Sequence, residues 1–190
     1  VTPGRAVGWS PRRPIVLVGP MGSGKSTVGA ALGRALGLER LDADELFEAD
    51  HGPIPEYFTA HGEPAFRRAE EQVIDEALRR PGPRVLSLGG GAVLSALTRS
   101  RLAACHVVFL TVDEEVALRR LGGGEGRPVL AGDPGRTWRR ILAEREGLYR
   151  EVSDWTVDTT GRTAHQLAET ITRLVREAET ASPTPGAVHP

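Results

Sequence analysis

The chain has 190 residues and a mass of 20.4 kDa; 39% of it is hydrophobic, 26% is charged, and the formal net charge is −1. That balance describes one globular domain and argues against a nucleic-acid binder, which carries a broad cationic surface. A single cysteine, Cys105, excludes an intramolecular disulfide and a cysteine zinc cage, and fits a reducing cytoplasm.

In chain order, residues 1–13 are rich in proline and arginine, lack the apolar core of a signal peptide and are expected to form a flexible tail. Ile15-Val16-Leu17-Val18, bounded by Pro14 and Gly19, is too short for a helix and predicts a buried strand. Val28, Leu32, Ala35 and Leu36 then recur at helical spacing until Gly37, so a helix leaves that strand directly. The alternation continues with a strand ending near Leu41, a short helix at 45–49, a helix from Glu63 to about Arg80, and strands at 85–88 and 107–111. Helices are expected at 113–121, from 134 to about 146 and from 164 to about 177, with a last strand near 155–157. Such alternation predicts a mainly parallel sheet of five strands in a three-layer α/β/α sandwich. Residues 14–181 then form a single domain whose one flap-like loop is Gly122-Gly123-Gly124-Glu125-Gly126, and 182–190 a second flexible tail. No run approaches the ~18–20 apolar residues of a membrane span.

The sharpest motif is Gly19-Pro20-Met21-Gly22-Ser23-Gly24-Lys25-Ser26-Thr27, a complete phosphate-loop pattern placed between a predicted strand and a predicted helix. Its glycines let backbone N–H groups face a phosphate chain at the positive end of the helix. Lys25 reaches the β- and γ-phosphates, and Ser26 offers a hydroxyl to Mg²⁺. Lys25 is also the single lysine of the chain, against 23 arginines. A GC-rich genome explains the arginines; it does not explain why one compact ammonium survives.

Asp42-Ala43-Asp44 follows the second strand, at the carboxyl edge where α/β folds place ligands. In an extended segment the two carboxylates point apart, one toward a metal and one toward an acceptor hydroxyl, as phosphoryl transfer requires. Asp is also a leading N-cap residue for the helix that follows. In the helix from Glu63, Phe66, Ala69, Val73 and Ala77 form a buried stripe, and Arg67 sits at its margin with Glu63 and Glu70 at ion-pair spacing, which reads as a solvated face. Arg145 shares a face with Trp138, Ile141 and Leu142, so its guanidinium is directed inward and needs an anion, internal or ligand. Ser87-Leu88-Gly89-Gly90-Gly91-Ala92 ends a strand with three glycines, suited either to close approach of a ligand or to a plain turn. Arg127-Pro128 follows the flap glycines, where an arginine meets charge on a transferred phosphoryl or stays a surface charge. The five histidines show no close metal-ligand spacing.

The phosphate loop, Asp42-Ala43-Asp44, Phe58, Gly62-Glu63, Phe66-Arg67-x-x-Glu70, Gly89-Gly90-Gly91-Ala92, Arg127-Pro128-Val129-Leu130 and Arg145-x-x-Leu-Tyr149, in this order, resemble the shikimate kinases from Ile15 to about Ala178. The resemblance implies a P-loop fold like that of nucleoside-monophosphate kinases, acting in the cytoplasm as a monomer with ATP, Mg²⁺ and shikimate. It implies transfer of the γ-phosphoryl to the 3-hydroxyl of shikimate, with a substrate region near 43–80 and a lid near 122–133. By the same resemblance Gly22, Ser23, Gly24, Lys25, Ser26 and Thr27 hold ATP, and Asp42 helps Ser26 hold Mg²⁺. Asp44 binds the acceptor hydroxyls and serves as base, Arg67 and Arg145 grip the carboxylate, and Gly89, Gly90 and Gly91 offer backbone N–H groups. Arg127 is the lid arginine on ATP, Arg120 lies beside the adenine, and Arg162 closes the adenine site. Two departures from the family pattern carry expectations. Pro53 and Pro55 make the substrate-side helix start later or bend, and Gly147 stands where a helix break is expected. A gluconate-type kinase would share the phosphate loop without the other motifs. A non-catalytic ATP-dependent switch has no use for Asp44, Arg67 and Arg145.

Overall fold

Five short segments, most apolar in β1 and β4, become the strands β1 (Ile15–Val18), β2 (Glu39–Asp42), β3 (Arg84–Ser87), β4 (His106–Thr111) and β5 (Trp155–Asp158), in the order β2-β3-β1-β4-β5. The computed structural model describes residues 9–122 and 133–181, and every strand pairing within them is parallel. The segment expected to form the flap and lid, from Gly123 through Arg127 to residue 132, lies outside the described residues, as do 1–8 and 182–190.

Alternation along β1 divides the core. Ile15 and Leu17 pack with Val28 and Leu32 of α1 (Lys25–Leu36) and Ile171 and Val175 of α7 (Ala164–Ala181) on one face. Val16 and Val18 face the other layer, with Ile74 of α3 (Ile54–Arg79) and Tyr149 of α6 (Pro134–Val152). The remaining helices are α2 (Ala43–His51), α4 (Ala96–Leu102) and α5 (Glu114–Arg120), with a 3₁₀ turn at Ala92–Leu94. Register then assembles the site: Leu17 pairs with Ser87 and Asp42 pairs with Ser87, so the loops after β1, β2 and β3 leave the sheet side by side. None of the helices in the described residues is long and apolar enough to cross a membrane.

Several boundaries differ from the sequence reading. The substrate-side helix starts at Ile54 rather than Glu63, because Pro53 and Pro55 lie at its start, where a missing N–H costs nothing. Its bend falls at Gly62, whose φ of 76° and ψ of 170° are non-helical, and Pro64 belongs to the first turn of the second half. The expected break at Gly147 does not occur. α6 runs unbroken from Pro134 to Val152, since burial of Trp138, Ile141 and Tyr149 outweighs the roughly 1 kcal/mol that one exposed glycine costs a helix. α4 was not anticipated, and α7 extends to Ala181. In the segment read as an N-terminal tail, Trp9 packs against the core and the Arg12 N–H donates to Glu179 Oε1 at 2.7 Å.

Candidate active site

The amino end of α1 is built differently from those of its neighbours. Asp42, Ser95 and Asp133 cap α2, α4 and α6 with side-chain oxygens, and α3 and α5 lack such a cap but carry acidic residues in their first turns, whereas α1 follows Gly24 with neither. Its positive end is therefore left for an external anion. Gly22 and Gly24 adopt φ of 80° and 89°, left-handed conformations that curl the loop so that its amides face inward. The Lys25 ammonium folds back over the loop, its Nζ donating to the Gly19 and Pro20 carbonyls at 2.9 Å each. The Ser23 hydroxyl is fully buried and has no hydrogen-bond partner among the described residues, as an atom of a ligand-completed cradle would be.

Asp42 combines both readings offered by the sequence. Its Oδ1 accepts from the Asp44 N–H at 3.1 Å, capping α2, and its Oδ2 accepts from the Ser26 hydroxyl at 2.6 Å. One carboxylate thus serves the helix and the mouth of the phosphate loop together. The pair does not lie in an extended segment as expected: β2 ends at Asp42, and the cap turns Asp44 into the first turn of α2. Arg40, two residues back on the same strand face, holds Asp42 Oδ2 at 3.2 Å and Glu45 at 2.6 Å. A serine hydroxyl and a carboxylate oxygen beside a phosphate loop are hard donors that suit Mg²⁺, which takes one or two protein oxygens and fills its shell with phosphate and water.

One strand over, charged side chains gather around the glycine run. A Cβ added to Gly89 would stand 2.7 Å from Asp44 Oδ1 and 2.9 Å from Glu70 Oε1, and one on Gly91 would fall onto the Arg67 guanidinium. The absence of Cβ atoms lets these charged side-chain ends lie directly against the backbone; a larger residue would push them aside. Arg67 makes both ion pairs its spacing suggested, to Glu63 at 3.5 Å and, with Nη1 donating, to Glu70 Oε2 at 2.6 Å, but it is partly buried rather than set on a solvated face. Glu70 is 6% exposed, and burial raises its carboxyl above the ordinary range against the opposing pull of Arg67. Arg145 lies inward as expected, its Nε buried without a partner among the described residues and its Nη1 3.9 Å from the place of a Gly90 Cβ. Asp44, Arg67, Arg145 and the three glycines therefore meet.

On the nucleotide side, Arg120 Nη1 donates to the Gly22 carbonyl at 3.0 Å and to Thr159 Oγ1 at 3.1 Å, tying the phosphate loop to the loop after β5. Arg162 lines the same cleft, of about 560 Å³, and donates to Thr170 Oγ1 from its far side. The sequence reading missed three contributors. Trp138 donates its indole N–H to the Met21 carbonyl at 3.0 Å, Tyr149 donates to the Gly90 carbonyl, and Arg40 holds Asp42. Each stands at a regular spacing from a residue already singled out, but only the fold gives it a partner.

A parallel sheet that delivers a phosphate-binding loop and, beside it, two carboxylates facing an arginine-lined pocket is the working arrangement of a P-loop phosphotransferase. The family model for shikimate kinase matches residues 21–176, and the chain belongs to that family of ATP-using kinases. It is 46% identical over 161 residues to the shikimate kinase of Salinispora arenicola, covering 84% of this chain and 96% of that one. Among solved structures, shikimate kinase from Acinetobacter baumannii in complex with shikimate superposes with a TM-score of 0.84 at 38% identity, over 88% of this chain and 95% of that one. A gluconokinase from Sinorhizobium meliloti 1021 shares the fold alone, with a TM-score of 0.60 and 23% identity over 90% of this chain and 98% of that one.

Proposed function

We propose that the cleft transfers the γ-phosphoryl group of ATP to the 3-hydroxyl of shikimate. The observation that carries this reading is the convergence of Asp44, Arg67 and Arg145 on the glycine run beside the phosphate loop. Two guanidiniums offer the forked donors that a planar carboxylate takes in pairs, and the Asp44 carboxylate stands where a ring hydroxyl can give up its proton. The amides of Gly22 and Gly24, Ser23, Ser26 and Thr27 cradle the phosphate chain. Lys25 leaves its loop carbonyls for the transferring group and follows its charge. Arg120 and Arg162 border the adenine, and Arg127 meets the phosphates from the lid. Ser26 and Asp42 hold Mg²⁺, which neutralises phosphate charge when bound. The single kinase domain spans 14–181, with its acceptor region near 43–80 and its lid near 122–133, and works as a cytoplasmic monomer without nucleic-acid or membrane partners.

A coupled ADP-release assay with shikimate, with gluconate and with no acceptor tests the assignment. Release stimulated by shikimate alone is the expected result. Stimulation by gluconate only, or by neither acid, overturns it.

A further inference from the structure

Tyr149 is 1% exposed, and its ring lies against Phe109 with centroids 5.1 Å apart, so it cannot swing away from the glycine run. Its hydroxyl donates to the Gly90 carbonyl at 2.5 Å, across 59 residues of sequence. Burial pushes the phenol up to about 12, against the pull of Arg145, so the proton stays on the oxygen at neutral pH. The carbonyl it holds belongs to the peptide joining Gly90 to Gly91, flanked on both sides by residues without Cβ atoms. Such a peptide turns over at little steric cost. Because a trans peptide is planar, its C=O and N–H point to opposite sides, so fixing the Gly90 carbonyl also fixes the Gly91 N–H. That plane lies between Arg67, which meets Gly91, and Arg145, which approaches Gly90.

We propose that Tyr149 is a positioning residue for the acceptor: by holding the Gly90 carbonyl it stops the Gly90–Gly91 peptide from turning over and keeps the Gly91 N–H directed at the acceptor between Arg67 and Arg145. This rests on the acceptor reading above and adds to it a residue that need not touch the substrate. Tyr149 acts through the backbone, so its loss should blur acceptor binding and spare the phosphate side.

Tyr149→Phe removes the hydroxyl and keeps the packed ring. The expected result is a KM for shikimate raised about tenfold, the scale of one lost hydrogen bond, with kcat and the KM for ATP within about twofold of wild type. An unchanged shikimate KM, or equal rises in both KM values, overturns the proposal. Wild-type protein in the same assay tests the acceptor assignment separately: no shikimate-dependent release there removes that assignment, whatever the variant does. Should the variant fail to fold, the wild-type chain carrying 3-fluorotyrosine supplies a second reading, with Tyr57→Phe assigning the two fluorine signals. The Tyr149 resonance should move on saturation with shikimate and stay put with a non-hydrolysable ATP analogue alone; a resonance indifferent to shikimate overturns the proposal.

Discussion

Lys25 makes two 2.9 Å bonds to carbonyls of its own loop, and these set what a substitution there can do. A guanidinium is planar and broader than an ammonium, and cannot act as a compact point charge that pivots from two loop carbonyls to a phosphoryl group. Lys25→Arg should lower kcat by about a hundredfold or more, the cost of losing one preorganised donor at the transition state. Retained turnover in steady-state assays would take Lys25 out of the mechanism. Asp44→Asn keeps the shape and loses the base, so turnover should fall by about a thousandfold with ATP affinity nearly intact, measured by calorimetric titration. Glu70 adds a pH signature. Burial raises its carboxyl above the ordinary 4.5, so the folded protein holds that proton more tightly than the unfolded chain does. The stability contributed by the neutral carboxyl is complete below 4.5 and is lost as pH rises through the raised folded value. Relative to wild type, Glu70→Gln should therefore gain stability as pH climbs from 4.5 through the raised folded value, read as a growing difference in Tm. A flat difference would show that Arg67 fully offsets the burial.

At the scale of elements, α6 has the widest reach. Near its start Trp138 bonds the Met21 carbonyl, and three turns later Tyr149 bonds the Gly90 carbonyl, so one helix touches the nucleotide loop and the acceptor turn. Nucleotide binding should change tryptophan emission through Trp138, and Trp138→Phe should remove that change while Trp9 and Trp155 continue to emit. Persistence of the change would place the reporter elsewhere. The same helix shows what the sequence could and could not express. Its inward face was legible from Trp138, Ile141 and Arg145, because a 3.6-residue period survives without knowledge of the partners. Its continuation past Gly147 was not, since the decision lay in the burial of Tyr149 against β4. The phosphate loop and the three-glycine run after β3 were readable for a related reason: glycine leaves the backbone open to close approach. α4 lacked a long apolar stripe, and while the Asp42 cap on the Asp44 N–H was readable locally, its second hydrogen bond, from Ser26, depends on tertiary placement that spacing alone does not encode.

At the scale of the whole molecule, the edge of the sheet opposite the cleft is closed by a buried polar latch. His106, at the start of β4, receives Arg13 Nη2 on Nδ1 at 3.1 Å and lies 2.8 Å from Glu179 Oε1 through Nε2, an arrangement that fits the tautomer with the proton on Nε2. Glu179 also accepts the Arg12 N–H, so one carboxylate near the end of α7 secures the approach to β1. Glu179→Ala should cost about 2–3 kcal/mol, the penalty of stranding buried donors, and leave both KM values unchanged because the latch is remote from the chemistry. Denaturant titration alongside kinetics checks both halves of that statement. The direction of the chain adds a practical consequence. β1 starts and α7 finishes near this latch, so among the described residues the last turn of α7, up to Ala181, lies at the end of the sheet away from the phosphate loop. A support or partner domain joined directly at Ala181 would therefore leave the mouth of the cleft turned toward solvent.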